Sequence, residues 1–208
     1  REFRAAAAHF GQRNIAIEPV EGLGGLPAPV EELVPDLMSV GEVQRVLQSL
    51  LSEGVPIRDL VTILETLGDK AKLTKDGAIL AEYCRQALGR SICARFVDES
   101  GTLRVITVDP ELDREIAESV ARTDDGSAVT LDSGRVGLII DELRARVDDA
   151  KLIGAPPVVL CSGATRRHLK ALTTHALPTL AVLSYHEILP SVRVEPVGLV
   201  ALDPVGVL

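Results

Sequence analysis

The spacing of apolar positions changes once along the chain. From residue 31 to about 89, apolar side chains recur every three to four residues, the period of helices that bury one face. Val43, Val46, Leu47, Leu50 and Leu51 make one such stripe. Ser39 and Glu42 stand three apart just ahead of it. This is an S-x-x-E capping box, in which each side chain satisfies a free backbone N–H of the other residue. Gly54 suits the left-handed residue that ends this helix, and Pro56 pre-sets φ for the next. The second stripe is Ile57, Leu60, Val61, Leu64 and Leu67, closed by Gly68, with Arg58, Asp59, Thr62 and Glu65 on the opposite face. A third helix is predicted over residues 76–88, with Ile79, Leu80, Tyr83, Cys84, Ala87 and Leu88 on one side. Ahead of all three, an Ala run predicts helix in residues 1–12. The prolines and glycines of residues 18–29 predict a loop.

After Arg90 the period shortens. Residues 91–97 and 103–108 read as strands around a turn at 98–101. A helix is predicted over 110–122, its proline tolerated in the first turn. A polar loop at 123–127 then leads through 128–131 to a helix over 133–149. Residues 157–161 (PVVLC) form a short run without polar interruption, as in a strand buried on both faces. A helix over 165–175, a strand over 180–184, a corner at 185–190 and a last strand over 192–201 complete the pattern. The expected fold class is α+β: a helical subdomain (31–90) followed by an α/β subdomain with a small mixed sheet (91–208). Residues 1–30 are expected to be an N-terminal helix and a Gly/Pro-rich connection.

Composition narrows the partners. Of 208 residues, 46% are hydrophobic but only 2% aromatic, so the core is built from Leu, Val, Ile and Ala. A stacking platform for single-stranded nucleic acid needs several exposed rings, and so low an aromatic fraction argues against one. Residues 31–70 carry three basic against eight acidic side chains, and residues 109–150 five against twelve, within a net charge of −8. An acidic hairpin is a poor DNA reader, because neutralising phosphate supplies much of that affinity. Protein partners are expected, and no nucleic acid. Cys84, Cys93 and Cys161 are few, odd in number and widely spaced, which fits a reducing compartment rather than a disulfide framework. No apolar run reaches the length of a membrane span. Arg1 in place of an initiating Met marks the sequence as a candidate piece of something longer.

Candidate chemistry is sparse. Cys161 and Arg167 stand in a C-x₅-R relation where a strand is predicted to turn into a helix, the arrangement cysteine phosphatases use to hold phosphate and lower a thiol pKa. Against it, the intervening loop has a single glycine, and Leu160 and His168 stand where those enzymes have His and a hydroxyl. The plainer reading is a buried Cys ending a core strand. The histidines, His9, His168, His175 and His186, lack metal-ligand spacing. Asp148 and Asp149 fall near a helix C-terminus, where the dipole disfavours carboxylates, so either a basic partner or fraying is implied. No catalytic, cofactor-binding or metal-binding residue is expected, and no enzyme activity.

Four segments in order, EELVPDLMSVGEVQRVLQSLLSEGVPIRDLVTILETLGD, LAEYCRQALGRSI, GAPPVVLCSGATRRHLKAL and LPTLAVLSYHEI, closely resemble the C-terminal cytoplasmic region of the flagellar FlhA-type export gate family. That family is shared with the large export-gate protein of virulence type III secretion. The resemblance runs from about Glu31 to Asp203, and residues 1–30 match loosely. It implies a parent with an N-terminal membrane domain and a cytoplasmic part of several subdomains, at the bacterial inner membrane, of which this chain is roughly the last two. It implies self-association into a ring, looked for as a nonamer, and partners among export chaperone–substrate complexes and soluble export-apparatus proteins. It also implies no cofactor and no membrane contact by this piece. The main chaperone cleft of the family lies upstream of Arg1. Within this chain the corner Pro56, Ile57, Arg58 and Asp59 is the expected contact point, because a corner between helices exposes backbone and side chains together.

Overall fold

The computed structural model describes residues 33–123 and 126–202. The helix and loop expected in residues 1–30 lie outside them. The chain divides between Leu88 and Gly89 into two compact units.

Among the described residues, the first unit is built on three helices: α1 (Val40–Ser52), α2 (Leu60–Lys70) and α3 (Gly77–Ala87). The capping box starts α1: the Ser39 N–H donates to Glu42 Oε2 at 2.7 Å and the Glu42 N–H to Ser39 Oγ at 3.3 Å. At its end Gly54 adopts φ 71°. The Gly54 N–H then reaches Leu51 O and the Val55 N–H reaches Leu50 O, both at 2.9 Å, the two bonds of a Schellman turn. Leu50 and Val55 are both buried, supplying the apolar contact that usually accompanies it. Asp76 caps α3 through the N–H groups of Ala78 and Ile79. The core here is aliphatic: Val43, Val46, Leu50, Ile63, Leu64, Leu67, Leu80 and Cys84 are all buried. Across it, the buried Arg85 guanidinium meets Glu53 at 3.1 Å.

Two details of this unit differ from the sequence reading. The second helix begins at Leu60, with Asp59 as its cap, rather than just after Pro56, and it runs through Gly68 to Lys70. An Asp that can accept from its own helix start outweighs a proline three residues earlier. The buried stripe is Ile63, Leu64 and Leu67, a face that takes in Ile63 and leaves Val61 on its flank, 51% exposed.

The second unit opens with a one-turn helix, α4 (Gly89–Cys93), then β1 (Thr102–Val108) and α5 (Pro110–Glu118). A hairpin follows, β2 (Val120–Thr123) and β3 (Gly126–Val129), then the 20-residue α6 (Ser133–Leu152). Next come β4 (Val158–Cys161), α7 (Arg166–Thr173), β5 (Ala181–Ser184), a 3-10 turn (Tyr185–Glu187) and β6 (Arg193–Val200). The main sheet has the order β5-β4-β1-β6 and is parallel throughout, while β2 and β3 form a separate antiparallel pair. Its apolar residues Ile106, Val159, Val182 and Val200 join Leu112, Ile116, Ile139, Leu143, Val147 and Leu169 from the helices in one core. All four β4 residues are buried, as an unbroken apolar run in a parallel sheet requires. On the edge strand β6, Val105 faces Pro196 and Ile106 faces Gly198, so Val197 is an extra residue in a bulge. A proline and a bulge both blunt an edge against unwanted pairing.

The strand expected at residues 91–97 is instead α4 and a turn, with Val97 keeping one isolated bridge to Leu103. Short apolar runs do not distinguish strand from helix. Here the burial of Ile92 and Cys93 together, on successive residues, selects a helical turn. The helix expected over 110–122 stops at Glu118, where the Ser119 hydroxyl turns back onto the Ile116 carbonyl at 2.7 Å and the chain enters β2. Asp148 and Asp149 pair within α6 with Lys151 and Arg146, both at 3.0 Å, so no outside base is needed to explain them.

Candidate functional site

The residues Pro56, Ile57, Arg58 and Asp59 lie together on the extended connection between α1 and α2. Its two ends are set by backbone chemistry: the left-handed Gly54 on one side and the Asp59 cap on the other. Both carboxylate oxygens of Asp59 are engaged, Oδ1 accepting from the Thr62 N–H at 3.1 Å and Oδ2 from the Thr62 hydroxyl at 2.8 Å. Asp59 therefore positions the corner. Pro56 and Ile57 are half-buried, and Arg58 is exposed. Val61, one turn further on, adds an apolar element that the periodicity placed in the core. Between α2 and α3 a polar groove of about 350 Å³ is lined by Thr62, Glu65, Asp69, Tyr83 and Gln86, with Lys70 Nζ 5.0 Å from the Tyr83 ring centroid.

The phosphate-binding loop weighed as an alternative is not formed. The Cys161 thiol is buried at the end of β4 and donates to the Leu183 carbonyl at 3.7 Å. Two of the loop N–H groups that would face phosphate are already engaged. That of Ser162 points at the Asp113 carboxylate at 3.5 Å, and that of Thr165 at Ser162 Oγ at 3.3 Å. A carboxylate in that position repels an anion. Arg167 turns away, donating from Nη2 to Ser127 Oγ at 2.7 Å and from Nε to His168 Nε2 at 3.2 Å. Burial, then the charges of Arg167 and Arg166, hold the His168 pKa below its ordinary value, so it is a neutral acceptor inside the unit. Cys84 is equally inert, its thiol pushed up to about 12 by burial. Burial also raises the Cys93 thiol, which donates to the Glu187 carbonyl at 3.3 Å. Among the described residues, no three metal-ligating side chains converge, and no helix is long and apolar enough to cross a membrane.

One surface was not legible in the sequence. At the carboxyl end of the parallel sheet, Tyr185 and His186 stand exposed on the 3-10 turn after β5. The sequence marks it only as a corner. The signal available was a tyrosine, one of two in the chain, placed directly after a strand read as buried.

Comparison with known proteins places this arrangement in context. A model of the FHIPEP family matches residues 24–193. The flagellar biosynthesis protein FlhA of Bacillus subtilis is 39% identical over 174 residues, covering 84% of this chain and 26% of that protein. The chain thus spans about a quarter of that relative's length. Among solved structures, Chlamydia pneumoniae CdsV in complex with CdsO superposes with a TM-score of 0.78 at 33% identity, over 85% of this chain and 52% of that one. The nonameric EscV cytosolic domain from a type III secretion system superposes with a TM-score of 0.70 at 32% identity, over 83% of this chain and 50% of that one.

Proposed function

This chain belongs to the FHIPEP family, and from that premise we propose that it is part of the export gate of a flagellar or type III secretion apparatus. In this reading it is a non-enzymatic docking platform on the cytoplasmic side of the bacterial inner membrane, held within a longer protein that is anchored there. The observation that carries the proposal is the agreement in fold, over more than four-fifths of the chain, with a cytosolic domain from a type III secretion system.

Two finer features belong to the same proposal. The parent assembles as a ring, supported by the nonameric state of the EscV domain. It receives soluble export components and chaperone–substrate complexes, the first supported by the CdsV complex with CdsO. Within this chain the connection Pro56, Ile57, Arg58 and Asp59, extended by the exposed Val61, serves as one contact point. A rigid corner that displays a cation beside an apolar side chain loses little conformational entropy on binding.

Deleting the gene that encodes this chain, then restoring it, tests the reading. Loss of flagellar or secreted proteins from the culture medium, recovered on restoration, is the expected result. Undiminished export in the deletion strain would refute it. Restoration with Arg58→Glu plus Val61→Asp is expected to lower export while the protein accumulates normally.

A further inference from the structure

We propose that Tyr185 and His186, with Asp113 beside them, form a docking point for a partner protein that presents an arginine or lysine side chain. The inference rests on the export-gate reading and adds to it a surface and the chemistry of what binds there.

The first ground is how tightly a three-residue turn is held. Glu187 is buried, and its carboxylate accepts the Ser184 N–H at 2.9 Å. Its carbonyl accepts the Cys93 thiol at 3.3 Å. Backbone approaches are equally close: a Cβ on Gly89 would lie 2.5 Å from the Glu187 carbonyl oxygen. A Cβ on Gly163 would lie 2.7 Å from His186 Nδ1, so the imidazole rests against the Ser162–Thr165 loop. Contacts from α4, β5 and the β4–α7 loop thus converge on one turn whose first two side chains, Tyr185 and His186, face solvent. Tyr185 is 53% exposed, and its phenol makes no hydrogen bond among the described residues. Surface turns that only contact water need no such support, whereas a rigid aromatic anchor gives binding at low entropic cost.

The second ground is charge. Asp113 is bonded to the same loop, its carboxylate facing the Ser162 N–H and its carbonyl accepting the Thr165 hydroxyl at 3.0 Å. The carboxylate therefore lies on the loop that carries the His186 ring. It also acts on Tyr185, whose phenol is raised above its ordinary pKa by burial first and then by Asp113. Residues 109–118 contain five acidic side chains and one basic, and Glu115 alone among the acidic ones is tied up in a bidentate pair. An aromatic face next to a carboxylate that makes no ion pair among the described residues is a site for a cation, through cation–π attraction and ion pairing together. A partner segment bearing Arg or Lys matches it, and an acidic one does not.

The test uses the full-length protein in its own bacterium, with a photo-crosslinking phenylalanine analogue at position 185 and, as control, at the exposed Leu73. The expected product is a crosslink at 185, absent at 73, to a different polypeptide whose joined peptide contains Arg or Lys. Asp113→Lys should reduce its yield by about thirtyfold, the loss expected at the threshold of a hot-spot contact. Gly163→Ala should do the same by displacing His186, and without the crosslinker Tyr185→Ala should impair export more than Tyr185→Phe, which keeps the ring. Thermal unfolding of each variant keeps misfolding apart from lost binding. A crosslink confined to the same polypeptide or to a second copy, or a yield indifferent to Asp113→Lys, would overturn the proposal. If the unsubstituted gene fails to restore export to the deletion strain, the export-gate reading itself fails instead.

Discussion

Arg135 of α6 grips Glu115 of α5 with both arms of its guanidinium, Nε to Oε1 and Nη2 to Oε2, each at 2.7 Å. The Arg side chain is 7% exposed and the Glu side chain 28%. Arg135 also donates its backbone N–H to the Asp132 cap at 3.0 Å. The pair therefore fixes the start of α6 against α5 at the edge of the second unit's core. Glu115→Gln removes the charge from a bidentate pair with a nearly buried guanidinium and is expected to destabilise the chain by about 2–3 kcal/mol. Arg135→Lys keeps the charge but loses the planar fork, so it should cost about half as much. Urea unfolding with an unchanged m-value would establish both figures, and a Glu115→Gln loss below a few tenths would show that the pair is decorative.

Glycines separate packing from backbone effects. Gly68 lies inside α2, with nothing within 4 Å of the position a Cβ would take. Gly68→Ala is expected to stabilise the first unit by about 0.5–1 kcal/mol, the gap in helix propensity. Gly54 sits at φ 71°, where an L side chain is strained, and Gly54→Ala should destabilise by about 1 kcal/mol. Gly89→Ala would press a methyl onto the Glu187 backbone and should cost about 1–3 kcal/mol. Three melting curves in the order Gly68→Ala above wild type and the other two below it would bear this out. A fall in stability for Gly68→Ala would mean that α2 ends before residue 68.

These positions also show what could be read without coordinates. Caps are local: Ser39 with Glu42, and Gly54, act within a few residues, so their sequence signatures survive folding. So does β4, because a four-residue apolar run has few places to go in an α/β layer. The residues 91–97 and 120–129 were not legible, since short segments take their structure from what they pack against. Val120–Thr123 is only half-buried and pairs with a single partner strand, giving no alternation to read. Val61 differs because the stripe read from spacing leaves out Ile63, which lies about 200° around the helix from Val61, and the face buried is the one that holds Ile63. Nothing in the spacing of residues 160–170 reveals that the Asp113 carboxylate faces the Ser162 N–H, a relation of residues about fifty apart.

The thiols offer a check on the phosphatase alternative. Cys84 and Cys161 are each no more than 1% exposed, and Cys93 is equally covered. An aromatic disulfide reagent such as DTNB should label none of them at neutral pH in the folded chain and all three in denaturant. Rapid labelling of Cys161 in the native protein would indicate an activated thiolate and revive the phosphatase alternative. Steady p-nitrophenyl phosphate turnover lost in Cys161→Ser would do so as well.

The last prediction concerns pH. His168 is buried on α7, with Arg167 Nε donating to its Nε2, so protonation must both desolvate a charge and break that bond. Its folded-state pKa accordingly lies below the ordinary 6.5, with burial the main cause and the neighbouring arginines adding to it. When the folded pKa is the lower one, the unfolded chain binds the extra proton first. The stability His168 contributes is therefore fully present above pH 6.5 and is lost as pH falls toward the folded value. The carboxylates held below their ordinary values, Glu42 by its bond to the Ser39 backbone and Asp98 by the Ser100 hydroxyl, act in the same direction but at lower pH. Unfolding free energy should thus begin to decline between pH 7 and about 5, before carboxylates titrate. His168→Gln, which can still accept from Arg167 but cannot gain charge in this range, should flatten that first decline and leave the acid limb below it unchanged. Equal slopes for wild type and His168→Gln between pH 7 and about 5 would show that His168 is free to protonate in the folded chain.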